Sequence, residues 1–470
     1  VSKRPRLLAI VSTVAVSTLL AAAENNPNPK LEQEFQSAVA HYHAGELPQA
    51  ASQLEALLSQ VPKSFEVHEL LGLVYAAQAE DSKAVEQLQV AAQLKPESAA
   101  AHTNLAAALV HAGNSELAGQ QFRKALDLEP HDYHANHNLG EFYIKTGKIA
   151  EAIPLLEEGQ RINPSAYNNS YDLAQAYLET ARLAPAKQLV QSLLQQKDTG
   201  ELHNLLGQIE EQDGKYVEAA NQFGVAAHMD PSEENLFAWG SELLVHRTYE
   251  PAIQVFETAS QRYPNSPRLM IGLGMAYYLR GKYDEAVKAL LAAADLNPAD
   301  PRCYLFLSKA YDSSPNQADE VIQRFRRFSE IQPRNARAQY YYAMSLWKGK
   351  RAEDPGFDLK QVETLLQKSI ELDHTLPEAH VQLGNLYADQ HEYAKSIPEY
   401  VRALELDPNL PDAHYRLGQD YVHTGQKDRA QEELAIYQRQ RAAHMAEMDK
   451  QKDEVRQFVY SAKGEPSAKP

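Results

Sequence analysis

Proline returns at a fixed interval along this chain. Pro62, Pro96, Pro130 and Pro164 stand 34 residues apart, a slot without proline follows near Asp198, and the series resumes at Pro231, Pro264, Pro298, Pro333 and later Pro408. Each closes an apolar-periodic run such as "LSQVP", "RINP" or "ELDP". Proline stops a helix and pushes the residue before it out of the helical region, so the chain is punctuated into units of nearly one length. A sustained period of this size marks a repeat architecture, in which a unit buries its apolar face only against its neighbours.

Alignment on the prolines brings out further columns. One reads Leu71-Gly72, Leu105-Ala106, Leu139-Gly140, Leu173-Ala174, Leu206-Gly207, Trp239-Gly240, Leu273-Gly274, Leu383-Gly384 and Leu417-Gly418. Three residues on come Tyr75, Tyr143, Tyr177, Tyr277, Tyr387 and Tyr421, and later Ala84, Ala118, Ala152, Ala186, Ala219, Ala252, Ala286 and Ala430. Small residues at fixed offsets in two helices let the backbones approach, with Leu, Tyr and Phe filling the groove between them. Gly113, Gly147, Gly214, Gly281 and Gly425 fall between the two helices, where a left-handed turn residue is wanted. Pro185 and Pro251 fall in the first turn of a second helix, where a missing N–H costs little.

These columns resemble the tetratricopeptide repeat (TPR) family over nearly all of residues 31–444. The resemblance implies an all-α fold, a right-handed α-solenoid of about twelve antiparallel helix pairs. The units run 31–64, 65–98, 99–132, 133–166, 167–199, 200–232, 233–266, 267–300, 301–335, 336–376, 377–410 and 411–444. The tenth is the longest, and "KGKRAEDPGFD" (348–358) reads as an extended loop between its two helices. Residues 445–460 read as a polar extension capping the last helix, and 461–470 as a disordered tail.

Ahead of the repeats, Lys3, Arg4 and Arg6 precede an apolar stretch from Leu7 to Leu20 that ends in Ala21-Ala22-Ala23. A basic start, a short apolar core and an A-x-A end are the parts of a secretory signal peptide, here 1–23. The expectation is an exported protein, periplasmic or extracellular after cleavage, with an uncleaved N-terminal membrane anchor as the alternative. Residues 24–30 read as a linker. Cys303 is the only cysteine, so no intramolecular disulfide forms, and the thiol is expected to be a small buried hydrophobe.

The formal charge of −17 argues against a nucleic-acid partner, which needs a basic surface. The charge is uneven. Residues 31–266 hold 14 Lys/Arg against 32 Asp/Glu, a net of −18, whereas 267–444 hold 23 against 25, a net of −2. Two surfaces with different partner preferences follow.

In TPR proteins the first helix of each pair lines the concave surface, through the second, fifth, ninth and twelfth or thirteenth positions of the unit. The resemblance carries those positions onto Glu66, Glu69, His134, His137, Glu141, Glu201, Asn204, Gln208 and Glu211 in the acidic half. Further on they become Arg268, Ile271, Met275 and Tyr278, then Arg302, Leu305 and Lys309, then Arg337, Tyr340, Met344, Trp347 and Lys348. Arg268, Arg302 and Arg337 share one position in three consecutive units, so they are expected to stack as a ladder beside an apolar wall of Met275, Tyr278, Tyr340, Met344 and Trp347. Arginine with aromatics makes interface hot spots, and guanidinium pairs carboxylates in two-pronged fashion. The expected occupant is an extended protein segment with acidic and apolar residues. Two alternatives stay open: arginines that only bridge to neighbouring Asp or Glu, and a groove for a glycan or small ligand.

His134, His137 and Glu141 share one helix face and are the one group of metal-like composition. No signature metal spacing accompanies them, so no metal or other cofactor is expected. The family's carboxylate clamp is incomplete: Asn104 and Asn138 repeat at the sixth position without their basic partners. No phosphate loop or nucleophile elbow occurs, and the repeats leave little chain for a catalytic domain. The expected function is therefore a non-catalytic scaffold for protein partners.

Overall fold

The structure, a computed structural model, describes residues 29–314, 316–349 and 358–443. These residues form twelve antiparallel helix pairs, with no strand among them. Their contacts divide the chain into two compact units, one ending at Asp198 and the other beginning at Thr199. The first holds α1 (Pro29–His43), α2 (Leu47–Gln60), α3 (Phe65–Ala77), α4 (Asp81–Leu94), α5 (Ala99–His111), α6 (Ser115–Leu128), α7 (Tyr133–Lys145), α8 (Ile149–Ile162), α9 (Tyr167–Glu179) and α10 (Leu183–Gln196). The second begins with α11 (Gly200–Gln212), α12 (Tyr216–Met229), α13 (Glu233–Val245), α14 (Tyr249–Arg262), α15 (Pro267–Arg280), α16 (Tyr283–Leu296) and α17 (Pro301–Ser313). It continues with α18 (Ala318–Ile331), α19 (Ala336–Lys348), α20 (Leu359–Leu372), α21 (Pro377–Asp389), α22 (Tyr393–Leu406), α23 (Pro411–His423) and α24 (427–443). No described helix is long and apolar enough to cross a membrane.

The signal segment 1–23, the extension 445–460 and the tail 461–470 lie outside the described residues, as do 350–357 of the insertion. That insertion does separate the two helices of its repeat, since α19 ends at Lys348 and α20 starts at Leu359. One boundary is corrected. Pro29 and Lys30, assigned above to the linker, belong to α1, because a first helical turn leaves its N–H groups unbonded and accepts proline there.

Local chemistry sets the helix ends. Most first helices start at a side-chain cap: Ser64, Ser98, Asp132, Thr199, Ser232, Ser266, Asp300 and Asn335 each accept a backbone N–H two or three residues on. Between paired helices the chain turns through a left-handed residue. Gly113 and Gly147 take it at φ 77° and 75°, but Ala79, Ala181, Arg247, Gln317 and His391 take it too, at φ between 56° and 62°. Except after Gln317, which is itself the N-cap of α18, the N–H after that residue bonds to a carbonyl five residues back, as Glu80 to Tyr75 at 2.9 Å and Arg182 to Tyr177 at 2.7 Å. This is the Schellman closure of a helix end.

The small-residue columns mark where paired helices touch. A β-carbon on Gly72 would stand 2.5 Å from Leu88 Cγ, and one on Gly384 would stand 2.8 Å from the Tyr400 ring. Ala84, Ala118, Ala152, Ala186, Ala219, Ala252 and Ala286 are wholly buried. Two polar devices join the elements. At the fourth position of a repeat, a side chain donates to the carbonyl six residues earlier: His68 to Pro62 at 3.1 Å, His102 to Pro96 at 3.0 Å, Asn136 to Pro130 at 2.8 Å and Tyr304 to Pro298 at 3.0 Å. At the eleventh position, a tyrosine hydroxyl donates to a carboxylate on the preceding repeat's second helix. Tyr75 reaches Glu55 at 2.6 Å, Tyr177 reaches Glu157 at 2.7 Å, Tyr277 reaches Glu257 at 2.5 Å and Tyr387 reaches Glu363 at 2.9 Å.

Candidate functional site

Within each unit the first helix of a repeat lies against the first helix of the next: α3 with α5 and α5 with α7, then α13 with α15, α15 with α17 and α17 with α19. Second helices stand farther apart, α16 and α18 excepted. First helices therefore form the inner side of each stack, and the three carrying the predicted partner surface, α15, α17 and α19, touch in series.

All eight predicted partner residues sit on those three helices. Met275 and Tyr278 of α15 and Tyr340, Met344 and Trp347 of α19 are half-buried, and all but Met344 pack partly on the core beneath. The Tyr278 ring lies 5.7 Å from that of Tyr283. Tyr340 meets Tyr341 edge-on at 5.6 Å, and burial holds the Tyr340 hydroxyl protonated well above its ordinary range.

The arginines are engaged close to home. Arg268 donates to Glu233 at 2.6 Å and lies 5.0 Å above the Phe237 ring. Arg302 grips Asp300, the cap of its own helix, through Nε at 3.0 Å and Nη2 at 2.6 Å, yet its side chain stays 70% exposed. Arg337 is exposed and sits beside Tyr341, where it counters the effect of burial on that hydroxyl. Two of the three thus bridge to neighbouring acids, the open alternative above. Neighbouring Lys348 pairs with Asp312.

The acidic half carries polar side chains held against water. Lys95 bonds to Glu66 at 3.0 Å, and Asn104 donates to Glu69 at 3.3 Å. Burial pushes the Glu69 carboxyl up to about 7, a rise that the Asn104 bond and Lys95 partly offset. In the second unit Gln208 donates to Asn204 at 2.6 Å and Asn204 to Asn235 at 3.0 Å. Glu242, 3% exposed, is likewise raised to about 7 by burial, with Glu211 adding repulsion.

The histidine group is not built as a cation site. His137 is buried and stacked on Tyr133 at 5.5 Å, and burial lowers its pKa. His134 is exposed against the Tyr133 edge at 5.2 Å, and Glu141 is taken by Lys145 at 2.6 Å. Among the described residues, no three His, Cys, Asp or Glu side chains converge as a metal site. Cys303 is wholly buried, its thiol bonded to the Asp300 carbonyl at 3.1 Å.

The tyrosine–carboxylate bonds were not among the sequence expectations. Their signal was present, since Glu55, Glu157 and Glu257 each precede a column tyrosine by 20 residues. Nor were the buried glutamates, because a glutamate on a polar helix face looks alike whether or not a neighbouring helix covers it.

Comparison with known proteins follows the same repeats. One family model, described as tetratricopeptide repeat, matches residues 35–99, 82–133 and 237–301. A second of that description matches 112–167 and 147–209, and a third, described as TPR repeat, matches 384–425. No curated protein matches the chain. Among solved structures, similarity extends to a tetratricopeptide repeat protein from Parabacteroides merdae (16% identity, TM-score 0.41, covering 53% of this chain and 99% of that one). Pseudomonas aeruginosa pilF is 21% identical with a TM-score of 0.38, over 44% of this chain and 94% of its own. The Naa15/Naa10 structure bound to HypK-THB is 16% identical with a TM-score of 0.34, over 87% of this chain and 68% of that one. With family-model matches over more than half of its length and a helix pair in each repeat, the chain belongs to the tetratricopeptide repeat family.

Proposed function

We propose that the chain is a non-catalytic scaffold of the exported compartment, holding segments of partner proteins on the inner face of its first helices. One observation carries this reading: α15, α17 and α19 touch in series and together present half-buried Met275, Tyr278, Tyr340, Met344 and Trp347 beside exposed Arg302 and Arg337. Rigid aromatic and thioether surface lowers the entropic cost of contact, and guanidinium gives direction to an acidic segment. Arg268 and Arg302 are already oriented by Glu233 and Asp300, so a partner carboxylate meets a pre-positioned fork and uses the donors those acids leave free.

The test compares partners recovered on the native chain with those on the triple variant Arg268→Glu, Arg302→Glu and Arg337→Glu, alone and combined with Trp347→Ala. Loss of specific partners from a variant that keeps its helical circular-dichroism spectrum is expected. Retention of every partner sinks the reading. The compartment rests on the basic, apolar and small-residue order of residues 3–23; recovery of the protein only from the cytoplasmic fraction of its native host would overturn that part.

A further inference from the structure

Four junctions carry the tyrosine–carboxylate bond; the junction of the sixth and seventh repeats has neither residue for it, and there a hollow lies where the two side chains would stand. Aligned with Glu157 and Glu257, the carboxylate slot of the sixth repeat is Gly224; aligned with Tyr177 and Tyr277, the tyrosine slot of the seventh is Leu243. Both line a cavity of about 620 Å³. A second hollow of about 470 Å³ shares His228, Trp239 and Pro251 with the first. Together they form a furrow between two second helices, on the side of the stack away from the inner face. One wall is an α12 stripe with Val217, Ala220, Gly224 and Val225; the other is an α14 stripe with Pro251, Gln254, Val255 and Thr258. Trp239 of α13 occupies the slot where most repeats place leucine. It lies half-buried between the two hollows, its ring 5.3 Å from that of His228.

Three features define what fits. No Asp, Glu, Lys or Arg lines the furrow, while Val225 and Met229 beside it are 40% and 46% exposed. The α12 wall runs from Val217 to Met229, about 18 Å at 1.5 Å per residue, or three helical turns. Carboxylates flank it: Glu218 and Asp230 are exposed near the two ends of α12, in a stretch, residues 200–266, that holds 3 Lys/Arg against 11 Asp/Glu.

We infer that this furrow is a second docking site, which receives the apolar ridge of a partner's amphipathic helix flanked by lysine or arginine. Two apolar helix stripes with a tryptophan between them offer the surface that helix-in-groove recognition uses. Bulky side chains of the partner replace the glutamate and tyrosine that this junction lacks, and its basic flanks meet the acidic rim. The site shares no residue with α15, α17 or α19, so it stands independently of the inner-face reading.

The chain has two tryptophans, so a full-length Trp347→Phe protein reports on Trp239 alone. The probe is a synthetic helical peptide with Leu and Phe at i, i+3, i+4 and i+7 and Lys on both flanks. Controls are the same peptide with Glu flanks and one with its apolar positions scrambled. The Lys-flanked peptide is expected to shift Trp239 emission to the blue and to bind at least about ten-fold tighter than either control. Val225→Lys with Met229→Lys, both at exposed positions, is expected to weaken it by about ten-fold or more. Gly224→Glu with Leu243→Tyr puts two side chains into the hollow against Trp239, whose ring a β-carbon at 224 would approach to 3.3 Å, so it is expected to abolish binding. The arginine triple variant is expected to bind normally. Equal binding of all three peptides, or binding unchanged in both furrow variants, overturns the proposal. So does a Trp239 response to the uncharged dye N-phenyl-1-naphthylamine but not to the peptide, which would make the furrow a small-ligand pocket. Self-association that Val225→Lys abolishes, without peptide binding, would make it a dimer contact and overturn the proposal equally.

Discussion

Glu69 sits on α3 with Asn104 of α5 donating to it, and burial raises its pKa from 4.5 to about 7. The sign of the consequence follows from linkage. Between these two values the folded chain holds a proton that the unfolded chain has released, so this group's contribution to stability falls as pH rises from about 4.5 to about 7 and is level beyond. Glu69→Gln keeps a carbonyl oxygen for Asn104 and removes the ionisation. The variant should match the native protein in Tm near pH 4.5 and exceed it at pH 8, as thermal melts across that range would register; equal gaps at both ends would refute the assignment. The sequence shows a glutamate at a concave position and stops there, since its ionisation depends on how closely α5 covers it. The bonds of the fourth-position histidines His68 and His102 are local by contrast. Their carbonyl partner lies only six residues away, within reach of the local turn, and Asn136 and Tyr304 perform the same task with different chemistry.

At the scale of elements, the turn between paired helices is the most uniform feature, and only part of it can be read from residue type. Gly113 and Gly147 announce a left-handed residue; Ala79, Ala181, Arg247 and His391 do not, yet adopt it. Closure of the helix end by the five-residue backbone bond, together with packing of the second helix, holds the turn where a side chain resists it. Ala181→Gly should therefore stabilise the protein by roughly 0.5–1 kcal/mol, relief of the left-handed strain outweighing the entropy of a more flexible unfolded chain. Gly113→Ala should cost about 1 kcal/mol. Urea titrations of both variants decide the matter, and a destabilised Ala181→Gly protein would show that the turn stores no strain. The helices themselves were legible, with caps, stops and the close Gly–Leu approaches all lying within one repeat.

For the whole molecule, the repeat period implies stability distributed over units and nearest-neighbour junctions. Junctions with a tyrosine–carboxylate bond and full packing resist opening more than one with a hollow and no such bond. Within the second unit, native-state hydrogen exchange should show α12 and α13 losing protection before α15 and α16, whose junction with α14 keeps the Tyr277–Glu257 bond. Uniform protection across these helices would count against a weak sixth junction. The candidate inner surface was legible as positions but not as chemistry. The repeat register placed Arg268 and Arg302 on first helices, whereas their capture by Glu233 and Asp300 depends on side-chain reach across a cap and a neighbouring helix.

What the sequence determined by itself was the architecture: a period near 34 residues, twelve helix pairs, and the faces that small residues bring together. Those follow from backbone sterics and hydrophobic period, which act over a few residues and repeat in each unit. Tertiary structure alone decided which carboxylates ionise, which arginines are already held, and where a junction is left hollow. Each of these depends on distances between side chains on different helices, and a one-dimensional period fixes their order without fixing their separation.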